Sequence, residues 1–223
     1  MSLRNSALLA AVLVTTALAM IAFYAPVDAD QGLSQKIFYF HVPIALTSYV
    51  LFGWGAWKAL RVLWKRDEAA DLESYVAVHL GVIFGALTLV TGSIWARASW
   101  GVWWAWSSHQ LVLFLVLFLF YCAYFMLRFS VEPGQRRANL SAVYALFGVV
   151  LIPVSFLAIR LASDFIHPTV FTPQVGKNLP RPMLITFCVS WAAMLATASA
   201  LYRIELAGKR IDARLRELKE LLA

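Results

Sequence analysis

The sequence predicts an all-α integral membrane protein: six transmembrane helices, both termini cytoplasmic, and a short outer tryptophan-rich helical segment before helix 4. Three observations predict it. The chain is 61% hydrophobic and only 14% charged. Its apolar residues fall in uncharged runs at 5–27, 37–57, 74–96, 98–127, 138–159 and 182–202, each reaching the roughly 20 residues a helix needs to cross the hydrocarbon core. The basic residues then divide unevenly between the two sides those runs define. Arg4, Lys58, Arg61, Lys65, Arg66, Arg128, Arg136, Arg137, Arg203, Lys209, Arg210, Arg214, Arg216 and Lys219 share one side, against Lys36, Arg97, Arg160, Lys177 and Arg181 on the other. The positive-inside rule makes the first side cytoplasmic.

The elements follow in order. The first run sits behind Arg4 as a signal peptide would, but its apolar part exceeds the usual ~7–15 residues, so an uncleaved first helix is expected. Helix 2 opens near His41, because Pro43 is well tolerated in a first helical turn. Helix 3 carries His79 at its cytoplasmic start and a Gly81-x-x-x-Gly85 pattern, which lets another helix approach closely. The 98–127 run is long because the tryptophan stretch joins a spanning helix that begins near His109. Helices 5 and 6 follow. Residues 1–205 are read as a six-helix membrane domain. Residues 206–223 form an amphipathic cytoplasmic tail, since Ile211, Leu215, Leu218 and Leu222 recur at roughly helical spacing among charges.

Five of the nine tryptophans lie in Trp95-Ala-Arg-Ala-Ser-Trp-Gly-Val-Trp-Trp-Ala-Trp106. At about 100° per residue, a helix places Trp100, Trp103, Trp104 and Trp106 within half its circumference, with Gly101, Val102 and Ala105 behind. A face of indole suits a large, flat, aromatic ligand, because each ring offers rigid area for little lost rotamer freedom. The competing explanation is an interfacial aromatic belt, which normally supplies one or two such residues per crossing. Three of the four histidines share this side: His41, His109 at the outer start of helix 4, and His167 in the outer loop. Pro168 pushes His167 toward extended backbone. Singly, each is an ordinary surface histidine. Together, His41 and His167 flanking an indole face argue for axial ligation of a haem iron, for which neutral imidazole is a standard ligand. Arg97 and Arg160 could meet the propionates, or simply snorkel from helix ends.

Other chemistry is largely excluded. Acidic residues are missing from mid-membrane, which argues against a proton relay or cation pathway. Cys122 and Cys188 read as small buried apolar residues, and neither C-x-x-C nor C-x-x-C-H occurs. No phosphate-cradling G-x-x-x-x-G-K-[ST] loop is present. The net charge of +7 reflects topology and lipid contact rather than nucleic-acid binding.

At this point a family resemblance emerges. Trp100-Gly-Val-Trp-Trp-Ala-Trp106 resembles the tryptophan-rich signature of membrane haem-handling proteins. Thr91-Gly-Ser-Ile-Trp95 resembles the lead-in of one branch, heme exporter protein C of cytochrome c maturation (CcmC). Gln31-Gly32, Lys36-Ile37, Tyr39 and His41-Val42-Pro43 are similar to that branch's first outer segment, and Gly148-Val-Val, Pro153 and His167 to its helix 5 and second outer loop. The resemblance covers essentially the whole chain. It implies that His41 and His167 are axial ligands to a transient, non-covalent haem b. It implies too that Trp95, Trp100, Gly101, Trp103, Trp104 and Trp106 hold the macrocycle. The implied task is not enzymatic: haem is presented to a periplasmic haem chaperone from a bacterial or archaeal inner membrane. Implied partners are the membrane and ATPase subunits of an ATP-binding-cassette pair and a small single-helix membrane protein. The family signature continues into Asp and, two residues on, Arg; Ser107 and His109 hold those positions here, and His109 is read as a cap of helix 4, with a polar partner in place of the arginine or an alternative ligand as the other readings. Two other classes stay open on the residues alone: a b-type electron-transfer subunit, and a solute transporter whose tryptophans are only a belt.

Overall fold

The computed structural model describes residues 2–29, 31–161 and 179–222, with backbone alone for Glu68 and for 158–161. Among the described residues there is no named strand, and six helices are long and apolar enough to cross a membrane. This follows from solvation: with no water to satisfy backbone polar groups, a lipid-exposed segment must satisfy them internally. The helices are α1 (Leu3–Ala19, extended by a π-helical turn Met20–Tyr24), α2 (Phe38–Lys65), α3 (Glu68–Trp100), α4 (His109–Ser130), α5 (Gln135–Leu161) and α6 (Arg181–Leu221). A 3-10 turn, Leu33–Ile37, leads into α2.

Helix α2 is the centre of the bundle. It packs on α3, α5 and α6, while α1 lies on α6 and α4 on α5. Small residues set the α2–α3 distance. A Cβ at Gly81 would sit 2.6 Å from the Phe52 ring, and one at Gly85 3.2 Å from Phe118 of α4, so the glycine pair does admit neighbouring elements. Phe52 in turn stacks on Tyr121 of α4, centroids 3.8 Å apart and rings 3° from parallel. A second apolar cluster joins α2, α3 and α6 through Ile44, Leu51, Leu80 and Phe84. A third, built from Ile21, Ala25, Tyr39, Met183 and Phe187, closes the end where α1 stops and α2 and α6 begin.

The opposite end is held by charge. Arg128 of α4 makes a two-pronged pair with Asp71 of α3 at 2.8 and 2.7 Å. Lys58 of α2 meets Glu73 at 2.6 Å, and Arg210 of α6 reaches the same carboxylate at 3.1 Å. His79 meets Glu205 at 2.9 Å. The turn between α2 and α3 is tight: Arg66 is left-handed at φ 50 and Asp67 caps α3 through the Ala70 N–H. That N–H, and then Arg61, hold the Asp67 carboxyl below the usual carboxylate range.

The tail is helical as expected, with residues 206–221 continuing α6 in one 41-residue helix. Other expectations are corrected. Pro43 is inside α2 rather than in its first turn, because the chain is already helical from Phe38. His79 lies three turns into α3, which starts at Glu68. Cys188 is exposed on the outside of α6 and Cys122 only partly buried, so the thiols face outward more than a core residue would.

Two consequences can be measured by thermal unfolding in detergent. Gly81→Ala forces the Phe52 ring to move, at about 1–3 kcal/mol for overpacking, and should lower Tm more than Gly85→Ala; equal Tm values would mean that the ring swings aside freely. Asp71→Asn leaves the buried Arg128 guanidinium without its counter-charge, and a loss of about 3–5 kcal/mol is expected. A Tm within one degree of the parent would reject a structural role for this pair.

Candidate functional site

The end of the bundle opposite the ion pairs contains a cleft of about 150 Å³. It is lined by the 28–37 segment, the first turns of α2, the last turns of α3 and the start of α6, and both His41 and Trp95 face it. Two residues distant in sequence and singled out from it are thus brought to one cavity. Its volume is below the roughly 300–1,000 Å³ of a closed small-molecule pocket. A macrocycle would therefore enter by an edge and rest its remainder on the surface outside.

Local chemistry explains each wall. Asp28 accepts from the Gln31 N–H at 2.8 Å, and the Gly32 N–H closes on the Asp28 carbonyl at 3.0 Å. Gly32 takes φ 59, a left-handed conformation suited to glycine. This turn aims Gln35 into the cleft, where it is 6% exposed and its Oε1 has no hydrogen-bond partner. Lys36 folds back to donate to the Ile21 and Ala22 carbonyls at 2.7 and 3.3 Å. A cation at these carbonyls satisfies groups that the end of α1 leaves open and complements its dipole.

His41 is half-buried against α3. Its Nδ1 lies 3.0 Å from the Thr91 hydroxyl. A Cβ at Gly92 would stand 2.9 Å from His41 Cε1, so only glycine lets the ring lie so close. Trp95, one turn further on, packs edge-on against Trp100 at 4.9 Å and 70°. The indole surface therefore runs from the cleft to the end of α3.

Beyond Trp100 the expected helix is absent, and this is the main correction to the site. Gly101 adopts φ 76 and donates to the Arg97 carbonyl at 3.2 Å. That is a left-handed helix stop of the kind glycine makes most easily. Gly101 is therefore a cap rather than part of a small-residue back, and residues 101–108 run as bends and a turn. Trp103 and Trp106 are 61% and 73% exposed, whereas Trp104 is half-buried and edge-on to Trp106 at 5.8 Å. The Trp104 indole nitrogen and the Ser108 hydroxyl are buried without hydrogen-bond partners. Arg97 donates to the Gly101 carbonyl and lies over the Trp103 ring at 5.9 Å. Ser108 holds the cap position of α4 and His109 is the first helical residue, so His109 does not cap α4 as expected.

His167 lies outside the described residues, and so does the side chain of Arg160. Nothing in the sequence pattern pointed to Gln35 or to Met183, which lines the cleft from the first turn of α6; neither residue type announces a ligand. The signal that could have corrected the tryptophan helix was Gly101 itself, placed after a long helix with Arg97 in its last turn.

Comparison with known proteins gives one consistent result. The sequence matches the family described as heme exporter protein C over residues 2–219. It is 30% identical over 199 residues to heme exporter protein C of Bradyrhizobium diazoefficiens, covering 89% of this chain and 75% of that one. It is likewise 30% identical over 198 residues to the Paracoccus denitrificans protein of that name, covering 86% and 81%. Against the Escherichia coli K12 protein of that name the match is 32% over 131 residues, 59% of this chain and 53% of that one.

The Arg97 contacts predict a local effect. Arg97→Ala removes an exposed cation–π contact of about 0.5–1 kcal/mol together with the tie to Gly101. Chymotrypsin cleavage within 101–108 should quicken by about two- to fivefold while the Tm of the bundle stays unchanged. An unaltered cleavage rate would show that Arg97 does not restrain the segment.

Proposed function

Because the chain belongs to the heme exporter protein C family, we propose that it handles haem for cytochrome c maturation, holding it at the cleft end of a multi-pass membrane bundle. The observation that carries the reading is His41 and Trp95 on one cleft, with the histidine fixed against α3. The residues suit such a cargo in kind. An imidazole provides an iron ligand, and the Trp95–Trp100 pair provides flat apolar surface.

In this reading His41 and His167 would hold the haem iron through their imidazoles. The cargo is haem b held without covalent bonds, since the chain has no C-x-x-C-H. Binding and release are its whole task, with no covalent step assigned to this chain. The cleft end faces the periplasmic side of an inner membrane, as the charge asymmetry argues, and there a periplasmic haem chaperone takes the cargo. A membrane and an ATPase subunit of the ATP-binding-cassette type and a small single-helix protein complete the assembly. Arg97 is engaged with Gly101 and Trp103, so a propionate role for it requires that it exchange partners. Lys36 is likewise committed to α1.

A b-type electron-transfer subunit would set its histidine pair within the bundle. Among the described residues, the other histidines of the transmembrane helices are His79, which pairs with Glu205 at the far end, and His109, the first residue of α4.

Purified protein should carry a Soret band that weakens severalfold in His41→Ala and in His167→Ala, with added imidazole restoring it in His41→Gly. Haem should then leave for an acceptor chaperone. Unchanged spectra in both alanine variants would remove these residues from the site, and haem retained against excess acceptor would favour a resident redox cofactor.

A further inference from the structure

A ligating imidazole presents one nitrogen to the metal, and the partner of the other nitrogen decides which one. In His41 that partner is Thr91, at 3.0 Å from Nδ1. The direction of this bond follows from counting hydrogens. A threonine hydroxyl has one proton, and Thr91 Oγ1 already donates it to the Leu87 carbonyl one turn back at 2.7 Å, with Thr88 O at 3.2 Å. The acceptors beneath the hydroxyl are backbone carbonyls, which cannot donate in return. Toward His41 the hydroxyl therefore accepts, so Nδ1 bears the hydrogen. In the neutral ring, Nε2 is then the nitrogen with the lone pair.

Gly92 adds a second, independent constraint. Because a methyl there would stand 2.9 Å from Cε1, the imidazole lies directly against the α3 backbone. Thr91 decides which nitrogen carries the proton; Gly92 decides how close and at what angle the ring lies.

From this we infer that Thr91 is a positioning residue that fixes the His41 tautomer, so that Nε2 is the nitrogen offered to the cargo. The inference deepens the proposed function and rests on it for the identity of the cargo. The hydroxyl's hold on the ring is a property of the protein without cargo.

The test therefore begins on haem-free, full-length protein in nanodiscs, with its histidines labelled with ¹⁵N. The pH is about 8, where an ordinary imidazole is neutral. His41→Gln assigns the resonances among the four histidines. Wild-type protein and Thr91→Ser, which keeps a hydroxyl, should show a pattern with Nδ1 protonated and Nε2 unprotonated. Thr91→Val keeps the shape and loses the acceptor, and its two nitrogens should move toward an averaged value. With ferric haem added, Thr91→Val should bind about 10–100-fold more weakly, the usual effect of removing such an outer partner; Thr91→Ser should stay within about threefold. Wild-type nitrogen shifts in Thr91→Val would overturn the inference, and so would equal haem loss in Thr91→Ser and Thr91→Val. An unchanged Soret band in His41→Ala counts instead against the proposed haem ligation, a result the haem-free spectra do not share.

Discussion

The close contact of α2 with α3 is what the rest of the structure is registered on. The two helices run antiparallel from a tight turn at Arg66–Asp67, and small residues keep them close in step along their length. Ser74 donates to the Gly55 carbonyl at 2.8 Å. Gly81 receives Phe52, and Gly92 receives His41. In a bilayer, no hydrophobic drive pulls apolar helices together, so association depends on packing and on interhelical hydrogen bonds. Each small residue converts one more turn into close contact. A slip by one residue would rotate every pair out of alignment, from the turn to the His41 ring. The position of the histidine is thus decided partly by a glycine about four turns away along α2, Gly55.

The two ends of this pair are finished differently. At the turn end, cations that give the sequence its charge asymmetry are largely engaged: Lys58, Arg128 and Arg210 meet Glu73 and Asp71, and Lys209 reaches Glu205. Breaking such pairs is costly where water is scarce, so they fasten the long extension of α6 to α2 and α3. At the cleft end the described cations are few and serve local backbone: Lys36 secures the end of α1, and Arg97 the end of α3. Charge therefore braces one end, while the other end is shaped by apolar and aromatic packing.

The six spans were legible because crossing a bilayer demands long uncharged runs, and the interruptions in this sequence are clean. Their ends were less so: α3 and α6 extend well past the apolar runs, because Asp71, Glu73 and Glu205 are neutralised by partners that no local pattern reveals. His41 and Trp95 were legible as candidates, and both line the cleft, whereas Gln35 and Met183 reach it only through a turn and a helix start that the fold brings together. The tryptophan segment was misjudged for a definite reason. Periodicity assumes a continuing helix, and a single left-handed glycine ends that assumption at 101. Arg97 looked like a candidate for an anionic ligand because cations are scarce on that side, yet it answers the Gly101 carbonyl, as Lys36 answers those at the end of α1.

The exposure of tryptophans does not by itself separate a ligand surface from a belt. Trp54, Trp57 and Trp64 of α2 are also 44–75% exposed and do not line the His41 cleft, as expected of side chains facing lipid or its interface. What distinguishes Trp95 is that it shares the cleft with a histidine held by two separate constraints on the neighbouring helix. Trp103 and Trp106 belong to neither class in a simple way. They sit on an irregular segment tethered through Arg97, where a contact worth about 1 kcal/mol or less is readily exchanged. On the proposed reading this division suits a carrier better than a permanent cofactor site. On that reading the His41 ring, fixed in one orientation on the helices, would meet the metal, while the indoles that would cover the macrocycle ride on a segment tethered only by such a contact. Affinity and release are then governed by different parts of the chain, and either can change without rebuilding the bundle.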